Sequence, residues 1–164
     1  MILEFDMIRL ARDHNTYLTT WAGVNSMNDE EVAEFLNRTQ PPLLGVIATI
    51  DRTGYPNALP VWYRYDSGCI RIWTDMRRTW PNDIVRNPKV SFSVQETEPP
   101  FAAVLVKGRG AIEKSSRHHW EEVRKITARY IDEANIDAYI DSWSMLEAMC
   151  VIIPEQIRSW SRGY

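Results

Sequence analysis

The sequence lacks three features, and each absence narrows the class of protein. It has only two cysteines in 164 residues, Cys69 and Cys150, too far apart for a disulfide framework or a metal-binding motif. Its net charge of −3 disfavours a nucleic-acid binder, since such binding depends on neutralising phosphates. No apolar run approaches the roughly 18 residues of a membrane helix. We therefore expect a soluble protein with reduced, structural cysteines and no nucleic-acid or membrane partner.

Signals for export and for several kinds of catalysis are also missing. The N-terminal stretch MILEFDMIRLARDHN has neither the basic start nor the long apolar region of a signal peptide, so we expect a cytoplasmic protein. No glycine-rich phosphate loop and no G-x-S-x-G motif occur. The three histidines, His14, His118 and His119, show no ligand spacing, and the adjacent pair is expected to be solvated on a helix surface. Hydrolytic chemistry and a metal site are therefore not indicated.

What is present is a change of hydrophobic period along a chain of about one domain's length. We predict a single domain over 27–164, preceded by an N-terminal extension, 1–26, of uncertain structure. The predicted helices are at 27–39, 79–88, from 116 onwards and at about 135–148, and the predicted strands are at 43–50, 57–65, 69–74, 89–96, 101–113 and 148–160. Strands joined mostly by short turns favour a small antiparallel barrel of six to seven strands with flanking helices.

Several residues predict a helix cap, a strand bulge and the buried face of a helix. Asn28 and Glu31 have the spacing of a capping box for the first helix. Gly108 and Gly110, inside the longest strand, suggest a bulge or a close backbone approach, and Pro154 belongs at an edge or a bulge. After residue 116, a helical stripe of apolar side chains is expected to face the sheet: Trp120, Val123, Ile126 and Tyr130.

The stretch LPVWYRYDSGCIRIWTDMRR, residues 59–78, reads as a hairpin with one mixed face. Leu59, Val61, Tyr63 and Tyr65 alternate with Pro60, Trp62 and Arg64 along its first strand, and Ile70, Ile72 and Thr74 alternate with Arg71 and Trp73 along its second. One face is therefore apolar, whereas the other combines tryptophan with arginine. Such a mixed face is suited to a flat, partly anionic molecule.

The residues that follow, WTDMRRTWPN, combine the groups that bind a phosphate ester. Thr74 ends a strand, Arg77 and Arg78 follow it, and a helix is predicted to begin just beyond them. The alternative is that both arginines are solvated loop residues paired with Asp75 or Asp83. The spacing alone does not decide between these two interpretations.

Taken together, five stretches resemble the pyridoxamine 5′-phosphate oxidase-like family of FMN-binding split β-barrels, including its branch of F420-dependent reductases. They are GVIATIDRTGYPNALPVWYRYDSGCIRIWT, RNPKVSFSVQE, VLVKGRGAIE, RKITARYI and CVIIPEQIRSW, in the family's order between about residues 27 and 160. The resemblance implies a homodimer with FMN, or alternatively F420, at the subunit interface.

The same resemblance implies which residues contact the cofactor. The strand segment Pro60, Val61, Trp62 and Tyr63 would lie along the ring system, and Trp73, Thr74, Arg77 and Arg78 would reach the ribityl chain and the phosphate. The chain departs from the family at Trp80 and Asp83, where a cation and an amide are common, so that Asn82 is the remaining source of the amide. This departure weakens the anion site and disfavours F420, whose tail is more anionic than that of FMN.

The implied function is a flavin-dependent oxidoreductase that transfers hydride to or from a small planar conjugated substrate. No catalytic acid or base is nominated, because Tyr63 and Tyr65 are expected to be core residues. Two alternatives stay open: a non-catalytic barrel that sequesters a flavin, haem-like or other planar ligand, and a split barrel kept only for interactions.

Overall fold

The computed structural model describes residues 25–114, 117–142 and 148–162. Nearly all of the expected N-terminal extension, 1–26, and the side chain of His118 therefore lie outside the described residues. The strands are β1 (Gly45–Ile50), β2 (Pro56–Val61), β3 (Arg64–Asp66), β4 (Cys69–Thr74), β5 (Lys89–Gln95), β6 (Ala103–Lys114) and β7 (Ala148–Trp160). The helices are α1 (Asp29–Asn37), α2 (Thr79–Arg86), α3 (Arg117–Thr127) and α4 (Ile136–Ser142), with a 3-10 turn (Glu133–Asn135) before α4.

All seven strands belong to one antiparallel sheet in the order β2-β1-β5-β6-β7-β4-β3. The two end strands of this order, β2 and β3, are joined only by Trp62 and Tyr63. Because an extended residue spans at most about 3.6 Å, the two ends of the sheet must lie close together and the sheet must curl. The result is the predicted split β-barrel with flanking helices.

The predicted single strand 57–65 is wrong in one respect, since it is two strands. Residues up to Val61 pair with β1, whereas residues from Arg64 onwards pair with β4. Alternating burial continues across the break, with Val61 and Tyr63 buried on one side. The period-2 pattern therefore could not reveal that the chain changes partner at Trp62.

The barrel interior is filled from alternate strand positions. On β5, Val90, Phe92 and Val94 are buried, as predicted. Gly45 pairs with Val94, and a Cβ on it would fall 2.1 Å from the ring of Phe92, so only glycine leaves room for this ring. Tyr63, fully buried, packs edge-on against Phe92 at a centroid distance of 5.1 Å. These contacts form part of one apolar core inside the barrel.

The predicted cap and bulge are confirmed. Asn28 accepts a bond from the Glu31 backbone N–H (3.0 Å), and the Glu31 carboxylate accepts one from the Asn28 N–H (2.8 Å), which completes the capping box of α1. Between β6 and β7 the register shifts at Gly108, which pairs with Pro154. A Cβ on Gly108 would lie 2.3 Å from the Ile153 carbonyl oxygen, so the backbones approach closely here.

Helix α3 packs on β4 and β7, and its inward stripe differs from the prediction at the first position only. Val123 and Ile126 are buried as expected, whereas Trp120 is 36% exposed. His119, predicted to be solvated, is instead buried, with Nε2 3.2 Å from a Glu113 carboxylate oxygen. Since 119, 123 and 126 follow helical spacing, the histidine shares the face that packs on the sheet.

Both cysteines are buried and form no disulfide, as predicted. The described helices are all too short or too polar to cross a membrane.

Candidate cofactor cleft

A cleft of about 270 Å³ opens beside the connection between β2 and β3, which we call the split. β2 ends, β4 ends and α2 begins at this cleft. Its walls come from five parts of the chain between residues 44 and 139. They are Leu44, the β2 end with the residue after it (Pro60, Val61, Trp62), the β4 end with the residue after it (Ile72, Trp73, Thr74, Asp75), the α2 start (Arg78, Trp80) and Tyr139 of α4. The cleft is therefore a product of the topology, because the end of β2 and the end of β4 meet only once the sheet has curled.

Six of the nine side chains predicted to contact a cofactor line this one cleft: Pro60, Val61, Trp62, Trp73, Thr74 and Arg78. β2 and β4 stand first and sixth in the order of seven strands, and Arg78 is the N-cap residue of α2. The structure thus brings together a largely apolar wall and an arginine at a helix N-terminus.

The other three predicted residues, Tyr63, Arg77 and Asn82, are not among the lining residues of the cleft and make other contacts. The Tyr63 hydroxyl donates to the Leu36 carbonyl (2.7 Å), and burial raises the pKa of this phenol, in agreement with the expected core role. Arg77 forms an ion pair with Asp75, one of the partners considered in the alternative interpretation. The Asn82 amide donates to the Met76 and Arg78 carbonyls (2.9 and 2.8 Å) and so fixes the loop before α2.

The mixed face of residues 59–78 is covered in part by the protein itself. The Trp62 indole stacks on Tyr130 with ring centroids 4.9 Å apart and 10° between the planes, and Tyr139 lies 5.1 Å from it. Arg64 pairs with Glu122 of α3 at 2.6 Å. These two residues therefore anchor the helical layer, while Trp62 also borders the cleft.

Two buried polar atoms in the cleft wall lack a hydrogen-bond partner among the described residues. They are the Thr74 hydroxyl oxygen and the Trp80 indole nitrogen, and both residues are only 2% exposed. The N-cap residue of α2 also makes no side-chain capping bond. Buried donors are normally satisfied, so these atoms are suited to a ligand that carries oxygen acceptors. The donor set fits the phosphate and ribityl portion of a flavin.

The electrostatics of the cleft are set by the loop between β4 and α2. Hydrogen bonds from the Arg77 side chain and backbone to the Asp75 carboxylate lower the pKa of Asp75 below its ordinary value, so this buried group is ionised at neutral pH. Residues that could jointly ligate a metal ion, three or more of His, Cys, Asp and Glu, are not clustered anywhere in the described ranges.

Sequence reasoning missed five lining residues: Leu44, Ile72, Asp75, Trp80 and Tyr139. Ile72 and Asp75 lie within or directly after a strand already assigned to the site, so proximity in sequence could have found them. Tyr139 lies on a helix more than sixty residues downstream, and nothing in the sequence indicates its position. Trp80 was noticed only as a departure from the family.

The comparisons with known proteins agree with this fold. The family model for pyridoxamine 5′-phosphate oxidase matches residues 28–161. The fold is that of the split-barrel class, and the chain belongs to the pyridoxamine 5′-phosphate oxidase family. No curated protein matches the chain by sequence.

Solved structures show the same architecture at low sequence identity. The conserved hypothetical protein Rv2991 from Mycobacterium tuberculosis is 24% identical, with a TM-score of 0.70 over 87% of this chain and 89% of that chain. An F420 reductase is 22% identical, with a TM-score of 0.58 over 76% and 93%. HutZ, the haem storage protein from Vibrio cholerae, is 18% identical, with a TM-score of 0.62 over 82% and 96%.

Proposed function

We propose that the protein is a flavin-dependent oxidoreductase that holds FMN, or alternatively the deazaflavin F420, in the cleft beside the split. The observation that carries this proposal is the composition of the cleft wall. Apolar and aromatic side chains line most of it, and Thr74 and Arg78 place donors where α2 begins. Membership of the family and the likeness to an F420 reductase support the same reading.

In this proposal the chain binds and orients the cofactor, and the cofactor supplies hydride transfer to or from a planar conjugated substrate. Pro60, Val61 and Trp73 form the apolar wall for the ring system, which excludes water from one face. Thr74 and Arg78 contact the anionic tail, since a guanidinium binds phosphate through directed hydrogen bonds. The ionised Asp75 cannot donate a proton at neutral pH, and its lowered pKa makes it a weak base, so it is assigned no catalytic step.

A second copy of the chain would complete the site. Ligand pockets usually enclose about 300–1,000 Å³, so the cleft of about 270 Å³ holds only part of a flavin. Next to it, Pro60, Val46, Ser93 and Leu105 occupy neighbouring positions across β2, β1, β5 and β6. This row is uncharged, and Val46 and Leu105 are about two-fifths exposed. A homodimer that buries this row would also cover the cleft, because Pro60 belongs to both.

The test is a titration of purified protein with FMN and with F420, followed by steady-state assays of the loaded protein with quinone-type acceptors. We expect saturable binding of one cofactor and sustained oxidation of its reduced form. The double variant Arg77→Met/Arg78→Met removes both positive charges and keeps the apolar wall, so it measures what the two arginines contribute to binding. Arg52→Met/Arg109→Met removes two charges outside the cleft lining and is the matched control. Binding that is equally tight in both double variants would contradict an anion site at the start of α2.

The second candidate function is sequestration of a flavin or haem-like ligand without turnover. It is favoured by the likeness to the haem storage protein HutZ and by the absence of an assigned acid or base in the described cleft. Stoichiometric binding without sustained oxidation of reduced FMN or F420 would select this function over the first.

A further inference from the structure

The cleft has an inner and an outer wall, which belong to different packing clusters. Ile72 and Trp80 are part of the core inside the barrel. Trp62 and Trp73 instead pack on a second cluster, formed by side chains of β4, β7 and α3, and Ile140 of α4 packs on the same cluster. The outer wall is therefore built where the helices α3 and α4 meet the sheet.

The aromatic side chains that a ligand can reach lie in this outer wall. Trp62, Trp73 and Tyr139 line the cleft and are half-buried, whereas Trp80 is only 2% exposed. Of the three accessible rings, Trp73 belongs to β4, Trp62 follows β2 directly, and Tyr139 alone comes from a helix. Tyr139 therefore brings an aromatic surface to the cleft from a different layer of the protein than the strand residues do.

Trp62 is the middle of a row of three rings, Tyr130, Trp62 and Tyr139. Tyr130 stacks nearly parallel to the indole, and its hydroxyl donates to the Leu43 carbonyl (3.0 Å) and accepts from the Tyr63 N–H (3.4 Å). Tyr139 is tilted by 33° against the indole, with ring centroids 5.1 Å apart. Because Tyr130 occupies one face of the indole, Tyr139 lies against the other face or an edge. Tyr130 is not a lining residue, so the row reaches the cleft through Trp62 and Tyr139.

Helix α4, which carries Tyr139, is seated shallowly. Among its seven residues only Ile136 is buried, and its ion pair with α3, between Asp137 and Arg124, joins side chains that are 73% and 50% exposed. Segments with few buried apolar contacts move at a low cost in free energy. Aromatic rings attract each other over centroid distances of about 4.5–7 Å in stacked or edge-on arrangements. The Tyr139 ring can therefore adjust to a flat ring in the cleft without disturbing the barrel.

We propose that Tyr139 determines the substrate specificity of the cleft. Its ring stacks on a flat aromatic ring of the substrate and so selects such substrates over conjugated compounds that lack an aromatic ring. The inference rests on the proposed function, in which the strand residues Pro60, Val61 and Trp73 cover one face of the cofactor ring system. The substrate has to approach the other face, so it needs a contact from outside that wall, and α4 supplies one through Tyr139.

The first experiment compares two substrates in variants of Tyr139. Tyr139→Phe keeps the ring, and Tyr139→Leu keeps an apolar side chain without the ring. Tyr55→Leu is the matched control, since Tyr55 is 73% exposed and lies outside the cleft lining. The cofactor-loaded, reduced protein is assayed with menadione, which contains an aromatic ring, and with 2-cyclohexen-1-one, a conjugated ketone that contains none.

We expect Tyr139→Leu to raise the KM for menadione about three- to tenfold, the effect of one lost aromatic contact, with kcat changed less than about twofold. Tyr139→Phe and Tyr55→Leu should stay within about twofold of the wild type. Cyclohexenone should be the poorer substrate of the wild type, and its kcat/KM should not fall in Tyr139→Leu. An unchanged KM for menadione would show that the ring does not contact the substrate, and equal losses for both compounds would show that it acts through packing. Either result overturns the proposal.

A second readout separates this inference from the proposed function. 2-Naphthol, a flat aromatic compound that accepts no hydride, is titrated into the protein without cofactor, and the Trp62 indole N–H resonance is followed after assignment by its loss in Trp62→Phe. A saturable shift in the wild type and in Tyr139→Phe, with affinity at least about threefold weaker in Tyr139→Leu, supports the inference even if no substrate is turned over, in which case only the proposed function fails. If menadione is turned over but 2-naphthol causes no shift, or binds equally well without the Tyr139 ring, the inference is refuted and the proposed function stands.

Discussion

Arg129 links the end of α1 to the connection between β2 and β3, and replacing it tests how much this link stabilises the barrel. Its guanidinium is buried and donates to the carbonyls of Tyr63 (2.6 Å), Leu36 (2.7 Å) and Arg38 (3.1 Å). It also stacks 4.5 Å from the centre of the Tyr63 ring. One side chain therefore fixes the end of α1 and the residue at which the chain passes from β2 to β3. We predict that Arg129→Met destabilises the fold strongly.

The magnitude follows from opposing contributions. A hydrogen bond to a charged group contributes roughly 1.5–3 kcal/mol, and three such bonds are lost. Methionine keeps much of the apolar stem, and its burial avoids the several kcal/mol that desolvating a guanidinium costs. The net loss of unfolding free energy is therefore about 2–4 kcal/mol. For a protein of this size that corresponds to a decrease in Tm of about 4–16 °C.

The assay is urea unfolding followed by tryptophan fluorescence, supported by thermal unfolding. The control is Arg124→Met, five residues earlier, whose ion pair with Asp137 joins side chains that are 50% and 73% exposed. Solvent screens an exposed ion pair and leaves it little net effect on stability, so this variant should stay close to the wild type. If the two variants unfold at the same urea concentration, the buried guanidinium does not stabilise the contact between α1 and the β2–β3 connection, and the reasoning is refuted.

Three further outcomes are expected. Gly108→Ala should cost about 1–3 kcal/mol of unfolding free energy, because its Cβ would meet the Ile153 carbonyl oxygen at 2.3 Å; urea unfolding measures this, and an unchanged midpoint would contradict the close approach. Because the pKa of Asp75 is lowered in the folded state, its contribution to stability is present above the ordinary value of 3.8 and is lost as the pH falls further. The stability difference between wild type and Asp75→Asn should therefore shrink on acidification, and a constant difference between pH 7 and pH 3 would argue against the Asp75–Arg77 contact. Leu105→Glu should yield monomers by light scattering if the exposed row forms the dimer interface, and an unaltered mass would place that interface elsewhere.

Much of the fold could be predicted because local patterns and tertiary packing agree. The alternation of β5 and the capping box of α1 are confirmed at the positions where the sequence indicates them. The break at Trp62 was missed, since a change of strand partner leaves the period unchanged. The burial of His119 was missed for a different reason: a polar residue next to an apolar stripe gives no sign of which side packs on the sheet.

The candidate site was predictable only where it is continuous in sequence. The ends of β2 and β4 were identified from short stretches that resemble a family. The contribution of Tyr139 depends on how α4 folds back over the sheet, which no local pattern encodes. The Thr74 and Trp80 atoms that lack a partner among the described residues are a property of three-dimensional packing, so no local pattern in the sequence reveals them.

The two-residue connection between β2 and β3 has a mechanical consequence. In an open sheet the outermost strands fray independently, because each is held by one neighbour. Here Trp62 and Tyr63 tether the two outermost strands to each other, so loosening either one displaces the other. Amide protons of β2 and β3 should then exchange with solvent in concert, although these strands stand six places apart in the hydrogen-bonded order of the sheet.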